Sequence, residues 1–471
     1  MLIAGEHREA SSGRSFDVVD PATGTSIARV PRGDRDDLGE AIEAATAAAP
    51  GAETMARDRG KVLARAAALV RDRSDRLAEQ LTREQGKPLR EAVDEVRGAA
   101  NVLEYYAGLA SSFADTRLRL PGGLEAEVRY EPIGVTGAII PWNMPALLSA
   151  WKVGPALLCG NAVILKAAST APLTPLGLAL CIHEAGLPAG VLNVLTGPGE
   201  TIGEAMVTDR AIRKVSFTGS SGTGKRIMAL AAGNMTRMTL ELGGSDPMIV
   251  CADADLGAAV AGAVSGRYYN SGQVCTAVKR LFVQEPVADE FLRRLTASVQ
   301  QLRVGSGLEP GTTMGPLNTT HARDELCSLV EEVRDRDEGR IVAGGGIPKG
   351  APDGAFYAPT IVTDVAPGST LLTDEVFGPV LPVVRFESLD EAIRRANDSR
   401  FGLGASVWTR DPAVIREATR QLQAGIVWVN LHLKVPPEVP FGGVKESGLG
   451  RENGTQALQA WSEEKTVLAR P

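Results

Sequence analysis

The sequence predicts an α/β protein with an open, mostly parallel sheet. This prediction rests on the order in which apolar patterns follow one another along the chain. Short apolar runs alternate with longer segments in which apolar residues recur at helical spacing. Strands separated by helices pair in parallel, because a helical crossover returns the chain to the same end of the sheet. The chain also has 471 residues, which at roughly 100 to 200 residues per domain indicates two or three domains.

The first part of the chain is predicted to be a helical layer followed by a hairpin. Over residues 34–73 and 74–109, apolar residues recur among Arg, Glu and Asp as they do in amphipathic helices. Polar and apolar residues then alternate over residues 117–130, on both sides of Pro121-Gly122-Gly123. This alternation is typical of a β-hairpin with one exposed face.

The alternation of strands and helices begins after the hairpin. The first series has predicted strands at 135–140, 162–165, 191–195 and 214–217, with helices from Pro145 and over 176–185. A second α/β series starts at 247–250 and continues beyond Arg385, with strands at 281–283 and 426–429. The alternation implies parallel pairing and hence an open α/β sheet.

The composition argues against several classes of protein. Acidic residues outnumber Lys and Arg by 57 to 50, and the net charge of -7 argues against nucleic acid as the main partner. Five cysteines form no CxxC pair and cannot all pair internally, which predicts a reduced, cytoplasmic setting. None of the four histidines lies in an HExxH motif or close to another, so no metal site is predicted.

The chain is also expected to have no membrane partner. Glu6 precedes any long apolar stretch, so the N-terminus does not look like a signal peptide. Lys152, Gly154, Asn161 and Lys166 interrupt the most apolar stretches well before the ~20 residues that a membrane span needs. A soluble protein is therefore expected.

Three residues have the side chains that thiol chemistry on a carbonyl requires. The Cys275 thiolate would attack the carbonyl carbon, and the Asn143 amide with backbone N–H groups would hold the oxyanion. The Glu241 carboxylate would activate water to release the acyl group. Each residue taken alone has an ordinary structural interpretation: a buried apolar cysteine, the end of a strand and a turn.

The glycine-rich segment 217–226 follows a predicted strand and opens a helix, where free N–H groups and the helix dipole favour a phosphate. From Gly219 to Lys225 it matches GxxxxGK of a nucleotide-triphosphate loop. The next residue, Arg226, offers no magnesium ligand where Ser or Thr is needed, and no GxGxxG motif replaces the match. Alone, the segment is equally consistent with a structural turn and a phosphate site.

Taken together and in order, these motifs resemble those of the aldehyde dehydrogenase superfamily, over nearly the whole chain. The separation of Glu241 and Cys275, 275 less 241 or 34 positions, is also that of the family. The markers, in chain order, are Pro141-Trp142-Asn143, Gly154-Pro155-Ala156-Leu157, Lys166, Phe217-Thr218-Gly219-Ser220, Glu241-Leu242-Gly243-Gly244, Gly272-Gln273-Val274-Cys275, Glu375-Val376-Phe377-Gly378-Pro379 and Pro440-Phe441-Gly442-Gly443.

The resemblance implies a role for each catalytic candidate. Cys275 would attack the aldehyde, and Asn143 with the Cys275 N–H would stabilise the oxyanion. Hydride would pass to nicotinamide, leaving a thioester that Glu241 and water would hydrolyse. Relatives that depend on coenzyme A often lack this glutamate, so Glu241 implies the hydrolytic type, with the free acid as product.

The resemblance also implies a dinucleotide cofactor, NAD or NADP. Its contacts would be Trp142, Lys166, Ser169, Gly219, Ser220, Glu375 and Phe377. Many relatives have a Glu that binds the adenosine ribose three residues after the lysine, where this chain has Ser169. A carboxylate there would repel a 2′-phosphate, whereas Ser169 does not and Lys166 attracts it. We therefore predict that the protein accepts NADP. The stronger form of this hypothesis is that it prefers NADP to NAD.

By position, six residues resemble the lining of the family's aldehyde tunnel: Met144, Leu148, Trp151, Val274, Thr276 and Leu433. Most are apolar, and Trp151 stands where relatives acting on carboxylated semialdehydes tend to have Arg. Few aromatics are expected to be available to cage a quaternary ammonium group. The prediction is a medium-sized aliphatic or aromatic aldehyde, with a small-metabolite semialdehyde as the alternative. His432 and Lys434 remain candidates for recognising a polar tail.

The family architecture implies three units. A Rossmann-type nucleotide-binding domain would comprise residues 1–114 and 134–244, and an α/β catalytic domain residues 245–445. A β-hairpin oligomerisation element, residues 115–133 and 455–471, would make a homodimer or homotetramer by covering exposed edges. Three other classes remain open: a P-loop-like triphosphatase, a thiol hydrolase that uses no nicotinamide, and a non-catalytic binding protein.

Overall fold

The computed structural model describes residues 1–49, 56–350 and 353–470. In chain order the helices are α1 (Arg35–Ala48), α2 (Ala56–Asp72), α3 (Ser74–Gln85), α4 (Leu89–Leu109), α5 (Pro145–Leu158), α6 (Leu173–Glu184), α7 (Glu204–Thr208), α8 (Ser221–Ala231), α9 (Leu256–Tyr268), α10 (Glu285–Val299), α11 (Thr320–Asp335), α12 (Thr370–Thr373), α13 (Leu389–Asn397), α14 (Pro412–Gln421) and α15 (Gln456–Ala460). No described helix is both long and apolar enough to span a lipid bilayer.

The strands of the described residues form four sheets. In chain order they are β1 (Leu2–Ile3), β2 (Glu6–His7), β3 (Ser15–Val19), β4 (Ser26–Pro31), β5 (Thr116–Leu120), β6 (Leu124–Pro132), β7 (Val135–Ile139), β8 (Ala162–Lys166), β9 (Leu192–Leu195), β10 (Lys214–Thr218), β11 (Arg237–Glu241), β12 (Asp246–Val250), β13 (Val278–Gln284), β14 (Arg340–Ala343), β15 (Thr360–Thr363), β16 (Val380–Phe386), β17 (Gly404–Trp408), β18 (Ile426–Val429), β19 (Gly448–Leu449) and β20 (Ser462–Ala469).

The first sheet has the strand order β19-β11-β10-β7-β8-β9-β1-β2, and its five central strands are parallel. Strands β7, β8, β9 and β10 are buried along their whole length, because helices cover both faces of the sheet. Helices α2, α4, α5 and α6 pack on one face, and α1, α7 and α8 on the other. This burial explains why the strands appear in the sequence as continuous apolar runs.

The second sheet has the order β14-β15-β16-β13-β12-β17-β18, parallel except for the edge strand β14. The hairpin β5–β6 turns at Pro121-Gly122-Gly123, where both glycines have positive φ. Strand β20 pairs with β6 along its whole length, completing a three-stranded antiparallel sheet. An α/β fold with two mostly parallel open sheets and a separate hairpin sheet is thus observed, as predicted.

The helical layer departs in detail from the prediction. The predicted segment 34–73 contains α1 and α2, and its positions 50–55 lie outside the described residues. The predicted segment 74–109 is two helices, because Gly86 turns the chain with φ 101° and Pro88 begins a new helix. The helix predicted over 176–185 begins earlier, at Leu173.

Candidate active site

A cavity of about 780 Å³ lies beside the carboxyl ends of β7, β10 and β11, between the two large sheets. Parallel neighbours end at the same edge of a sheet, so the residues that follow these strands come together there. Of the sequence-predicted site residues, these line the cavity: Trp142, Asn143, Met144, Leu148, Trp151, Gly219, Ser220, Val274, Cys275, Thr276, Glu375, Phe377 and Leu433. Glu241, Lys166 and Ser169 lie outside its lining.

Cys275 lies in the loop between α9 and β13, which we call the nucleophile loop (residues 273–277). The chain enters it through three consecutive left-handed residues, Asn270, Ser271 and Gly272, with φ of 50°, 55° and 75°. A Cβ at Gly272 would lie 2.3 Å from the carbonyl oxygen of Gly378, so only glycine fits this turn. The turn carries Cys275 to the cavity wall.

Asn143 is held in place from both sides. Its side-chain Nδ2 donates to the carbonyl of Gln273 at 3.0 Å, which joins it to the nucleophile loop. The buried ammonium of Lys87 donates to the Asn143 carbonyl at 2.8 Å and pairs with buried Glu95. Glu95 in turn accepts the N–H of Ala146 at 2.8 Å, at the start of α5. A buried ion pair therefore fixes the turn that carries the amide.

The Cys275 thiol is surrounded by charges of both signs. Burial raises its pKa to about 12, and the Lys279 ammonium opposes that rise. The carboxyls of Asp246, Glu375 and Glu241 each raise the pKa further. The resting nucleophile is therefore a neutral thiol.

Glu241 ends β11 as a buried carboxyl, and neither of its oxygens has a hydrogen-bond partner among the described residues. Burial, and then the charge of Glu452, raise its pKa well above the usual value, while Lys152 and Arg451 act in the opposite direction. A Cβ at Gly442 would approach Glu241 Oε1 to 2.7 Å, so this carboxyl lies against bare backbone. An unpartnered buried carboxyl with a raised pKa is a candidate for proton transfer.

The glycine-rich segment begins at the end of β10 and forms part of the cavity wall. Ser220 caps α8 and its hydroxyl oxygen accepts the N–H of Thr223 at 3.3 Å, so the start of this helix faces the cavity. The Lys225 side chain points elsewhere, since it is largely exposed and pairs with Glu446 at 2.8 Å. The helix start suits a phosphate group, whereas the lysine that a triphosphate loop would use is bound to a carboxylate.

Glu375 and two aromatic rings form the opposite wall. Glu375 Oε1 accepts the N–H of Gly244 at 3.2 Å and pairs with Lys279 Nζ at 3.2 Å. The rings of Trp142 and Phe377 meet edge to face, with centroids 5.6 Å apart. A Cβ at Gly243 would come within 2.1 Å of Glu375, so the glycine allows the carboxylate to lie against the backbone.

Lys166 and Ser169 lie at and just beyond the end of β8. Lys166 is 5% exposed, which contradicts the default interpretation of this lysine as a solvated surface charge. Burial alone lowers its pKa to about 8, and no carboxylate of the described residues opposes that shift. Ser169 donates its hydroxyl to the Gly197 carbonyl at 3.0 Å. A buried ammonium without a counter-charge fits an anionic or hydroxyl-bearing cofactor group.

The expectation of few aromatics near the substrate is wrong. The cavity lining includes the rings of Trp142, Trp151, Tyr269, Phe377 and Phe441, because elements far apart in sequence converge there. The Trp151 and Phe441 rings pack with centroids 5.1 Å apart. The Phe441 ring belongs to the Pro440-Phe441-Gly442-Gly443 marker, so that motif contained the signal for it.

Polar groups also reach this part of the cavity. His432 is buried, with its ring nitrogens 2.8 Å from the Thr276 carbonyl and 3.1 Å from the Ser406 hydroxyl. Burial lowers the pKa of His432 to about 4, so the ring is neutral and holds backbone rather than an anionic tail. Asp94 and Lys434 line the cavity with opposite charges. Asp94 was not predicted, since its place in the sequence is that of an exposed helical residue.

Among the residues that the structure describes, no three His, Cys, Asp or Glu side chains converge as metal ligands would. Cys159, Cys181, Cys251 and Cys327 are free thiols; the first three are buried and Cys327 is half-buried. None of the four lines the cavity.

Comparison with known proteins identifies an oxidoreductase class. Residues 7–467 match the aldehyde dehydrogenase family, and the chain belongs to that family. It is 42% identical over 99% of its length to a betaine aldehyde dehydrogenase from Brucella anthropi, of which it covers 96%.

Solved structures agree with this assignment. A betaine aldehyde dehydrogenase from Staphylococcus aureus, in complex with NAD+, is 34% identical with a TM-score of 0.97, covering 100% of this chain and 94% of that one. An NADP-dependent enzyme from E. coli is 37% identical with a TM-score of 0.97, and the match covers 99% and 97% of the two chains. The chain is therefore an aldehyde dehydrogenase.

Proposed function

We propose that this enzyme oxidises an aldehyde to the carboxylic acid with NAD(P)+, through a thioester on Cys275. The observation that carries the proposal is the shared cavity wall. Cys275 and Asn143 line one cavity with the start of α8 and Glu375, and Glu241 is near enough to act on the thiol pKa. A nucleophile, an oxyanion donor and a base around one reacting carbon are what acyl transfer requires.

The chemistry follows from the positions of these side chains. The Cys275 sulfur, once deprotonated, bonds to the aldehyde carbon, and the carbonyl oxygen becomes an oxyanion that accepts from the Asn143 amide and the Cys275 N–H. When the oxyanion re-forms its double bond to carbon, the C–H bond of that carbon breaks and a thioester to Cys275 remains; a bound nicotinamide would supply the acceptor for the hydride. Glu241 then takes a proton from water as the water oxygen attacks the thioester carbon. The bond between that carbon and the Cys275 sulfur breaks, which frees the sulfur and releases the carboxylic acid. Ser220, Lys166, Glu375 and Phe377 are proposed to hold the cofactor.

The assignment is tested by reduced-nicotinamide formation with NAD+ and NADP+ separately, in the absence of coenzyme A. Wild-type enzyme is expected to turn over a panel of short, long and aromatic aldehydes, and Cys275→Ala to lose turnover by several orders of magnitude. Cys327→Ala is the matched control, since that thiol is half-buried and does not line the cavity. Turnover that survives in Cys275→Ala would overturn the proposal.

We further propose that NADP+ is accepted, and preferred to NAD+, because Ser169 carries no charge that would repel a 2′-phosphate and no carboxylate in the described part of the chain acts on Lys166. Ser169→Glu would restore a carboxylate near the ribose and is expected to lower kcat/KM with NADP+ about tenfold or more while sparing NAD+. Ser169→Gln has the same shape without the charge and should leave the cofactor ratio close to that of the wild type. A wild-type kcat/KM far higher with NAD+ would contradict the preference.

For the substrate we propose a medium-sized apolar aldehyde, aliphatic or aromatic. Met144, Leu148, Trp151, Val274 and Leu433 supply an apolar wall around Cys275. His432, a candidate for a polar tail, is instead engaged with the Thr276 carbonyl. Lower kcat/KM for a carboxylated semialdehyde than for the uncarboxylated aldehyde of equal length would support this substrate class over the alternative.

A second substrate class is favoured by one observation, the Asp94 carboxylate in the wall of a cavity that contains aromatic rings. Carboxylates and ring faces both attract a quaternary ammonium group. The test compares betaine aldehyde with 3,3-dimethylbutanal, which has the same shape and no charge. A preference for the cation that Asp94→Asn removes would support this class, and equal rates would reject it.

A further inference from the structure

Lys279, the second residue of β13, places a buried ammonium directly behind the nucleophile loop. Its side chain is 1% exposed. Removing an ammonium from water is costly unless every N–H finds a partner. Lys279 Nζ donates to the carbonyls of Val274 and Cys275, at 2.9 and 2.6 Å, and pairs with Glu375 Oε1 at 3.2 Å. All three of its donors are therefore used, two of them on the backbone beside the thiol.

The contact to Val274 also fixes the direction of a backbone donor. In a planar trans peptide the C=O and the next N–H point in opposite directions. With the Val274 carbonyl turned to Lys279, the Cys275 N–H is turned away from Lys279, and among the described residues it donates to no acceptor. That N–H is the backbone donor that the proposed mechanism assigns to the oxyanion.

Neighbouring carbonyls are held in the same manner. Asn143 and Asn270 both donate to the Gln273 carbonyl, at 3.0 and 3.2 Å, and His432 Nε2 lies 2.8 Å from the Thr276 carbonyl. With Lys279 on the two carbonyls between them, side-chain groups hold four consecutive carbonyls, from residue 273 to residue 276. Because these oxygens are all engaged, none is free to face the oxyanion.

Lys279 also supplies positive charge to the thiol. Among the described residues, the largest charge effects on Cys275 come from this ammonium and from the carboxyls of Asp246, Glu375 and Glu241. The neutral His432 ring holds the adjacent carbonyl and adds no charge. Without the ammonium, burial and the three carboxyls would act on the sulfur unopposed. Both burial and negative charge disfavour the thiolate.

We propose that Lys279 is a positioning residue for the thiol: it turns the Cys275 N–H towards the oxyanion and places a positive charge behind the sulfur. This inference rests on the proposed function, in which Cys275 is the nucleophile. It assigns two separable effects to one side chain, hydrogen bonding to the loop carbonyls and charge. A lysine that merely filled space would produce neither effect.

The test is the pH profile of the rate of Cys275 alkylation by iodoacetamide between pH 7 and pH 10, in the full-length protein without cofactor, followed at that cysteine by peptide mass spectrometry. This range lies below the pKa of the thiol, so the rate follows the thiolate fraction and rises about tenfold per pH unit. Lys279→Met is expected to displace the profile by about one pH unit or more towards alkaline pH, and Lys279→Arg to keep it near the wild-type profile. Lys279→Gln keeps donors and removes charge, so it should displace the profile as Lys279→Met does. The surface variant Lys61→Met is the control.

The second readout is the rate of acylation by p-nitrophenyl acetate, divided by the alkylation rate of the same variant at the same pH, so that differences in thiolate content cancel. This ratio should be at least about tenfold lower in Lys279→Met than in the wild type, and Lys279→Gln should recover part of that loss. Thermal melting shows which variants are folded. If Lys279→Met does not fold, Lys279→Gln and Lys279→Arg decide the question.

An alkylation profile that is not displaced in folded Lys279→Met or Lys279→Gln would overturn the inference about charge. An unchanged ratio of acylation to alkylation in folded Lys279→Met, or in Lys279→Gln if Lys279→Met does not fold, would overturn the inference about the N–H. Cys275→Ala separates both from the proposed function. If that variant keeps dehydrogenase activity, the assignment of Cys275 fails. If it is inactive while the Lys279 variants behave as wild type, only the role of Lys279 fails.

Discussion

At the scale of single residues, burial disfavours the charged forms of the proposed nucleophile and base. Burial raises the pKa of Cys275 to about 12 and that of Asp246 to about 7, and it raises the pKa of Glu241 well above its usual value. A carboxylate with a raised pKa is a stronger base but is ionised in fewer molecules at neutral pH. Both the thiol and the base therefore gain their reactive forms as the pH rises, so we expect turnover to increase from neutral to alkaline pH.

Glu241→Gln should change stability in a pH-dependent manner. The folded pKa of Glu241 is raised, so the folded protein binds more protons than the unfolded chain at pH values above 4.5, the ordinary pKa of a glutamate. Wild-type stability therefore falls as the pH rises from that value towards the folded pKa, and glutamine removes this loss. We expect the melting temperature of Glu241→Gln to exceed that of the wild type at pH 8, with the difference vanishing near the ordinary glutamate pKa.

The control for this prediction is Glu290, a surface carboxylate paired with Arg293 and Arg294, whose pKa these arginines lower. Glu290→Gln should not raise the melting temperature at pH 8. If Glu241→Gln melts below the wild type at every pH, the buried carboxyl is stabilising in its charged form and the sign is wrong.

Some residues of the site could be identified from the sequence and others could not. Cys275 and Asn143 stand in contiguous motifs, so their place in the cavity wall could be predicted before the fold was known. Lys279 could not, because a lysine is solvated by default, and only the curved path of the nucleophile loop brings two carbonyls to its ammonium. Asp94 was missed for the same reason, since nothing in a helical sequence marks the turn that faces a cavity.

At the scale of elements, the backbone conformation of the left-handed turn before the nucleophile loop strongly restricts which residue types fit there. Gly272→Ala would require φ near 75° in a residue with a Cβ, and that Cβ would meet the Gly378 carbonyl oxygen at 2.3 Å. We expect a loss of stability of about 1–3 kcal/mol and a larger proportional loss of kcat. Denaturant unfolding and steady-state kinetics measure both.

Gly39→Ala is the matched control, because Gly39 lies inside α1 and a Cβ there would meet no atom within 4 Å. This change should be neutral or slightly stabilising, since alanine favours a helix. Equal stabilities and rates for Gly272→Ala and the wild type would show that the turn tolerates a side chain, contrary to its geometry.

The elements themselves were largely predictable. Strands of the parallel sheets are buried on both faces and appear as apolar runs, while the hairpin showed its alternation and its Pro-Gly-Gly turn. The break between α3 and α4 was not predicted, because Gly86 and Pro88 interrupt a pattern that remains amphipathic on both sides. The predicted domain limits at residues 114, 134, 244 and 445 stay predictions.

At the scale of the whole molecule, we propose a homodimer or a homotetramer. The three-stranded sheet ends in β5, an edge strand whose Leu118 and Leu120 are 47% and 38% exposed, and Leu468 in β20 is 59% exposed. An exposed apolar edge invites pairing with another chain. Light scattering after gel filtration should show a wild-type oligomer and a smaller species for Leu118→Glu combined with Leu468→Glu.

Met235 provides the comparison for this prediction, since it is 86% exposed on a turn after α8, away from that sheet. Met235→Glu should keep the wild-type mass. A monomeric wild type, or an unchanged mass in the double variant, would contradict the proposed interface.

The short strand β19 has a consequence for how the enzyme is made. Leu449 pairs with Leu240, and Gly448 with Glu241, so the strand that ends in the proposed base lies at an open edge until those late residues are available. A ribosome delivers the chain from its N-terminus, and the earlier parts can fold first. Nascent chains shorter than 448 residues lack this closure. The Glu241 carboxyl therefore lacks its completed surroundings until residues 448 and 449 have left the ribosome.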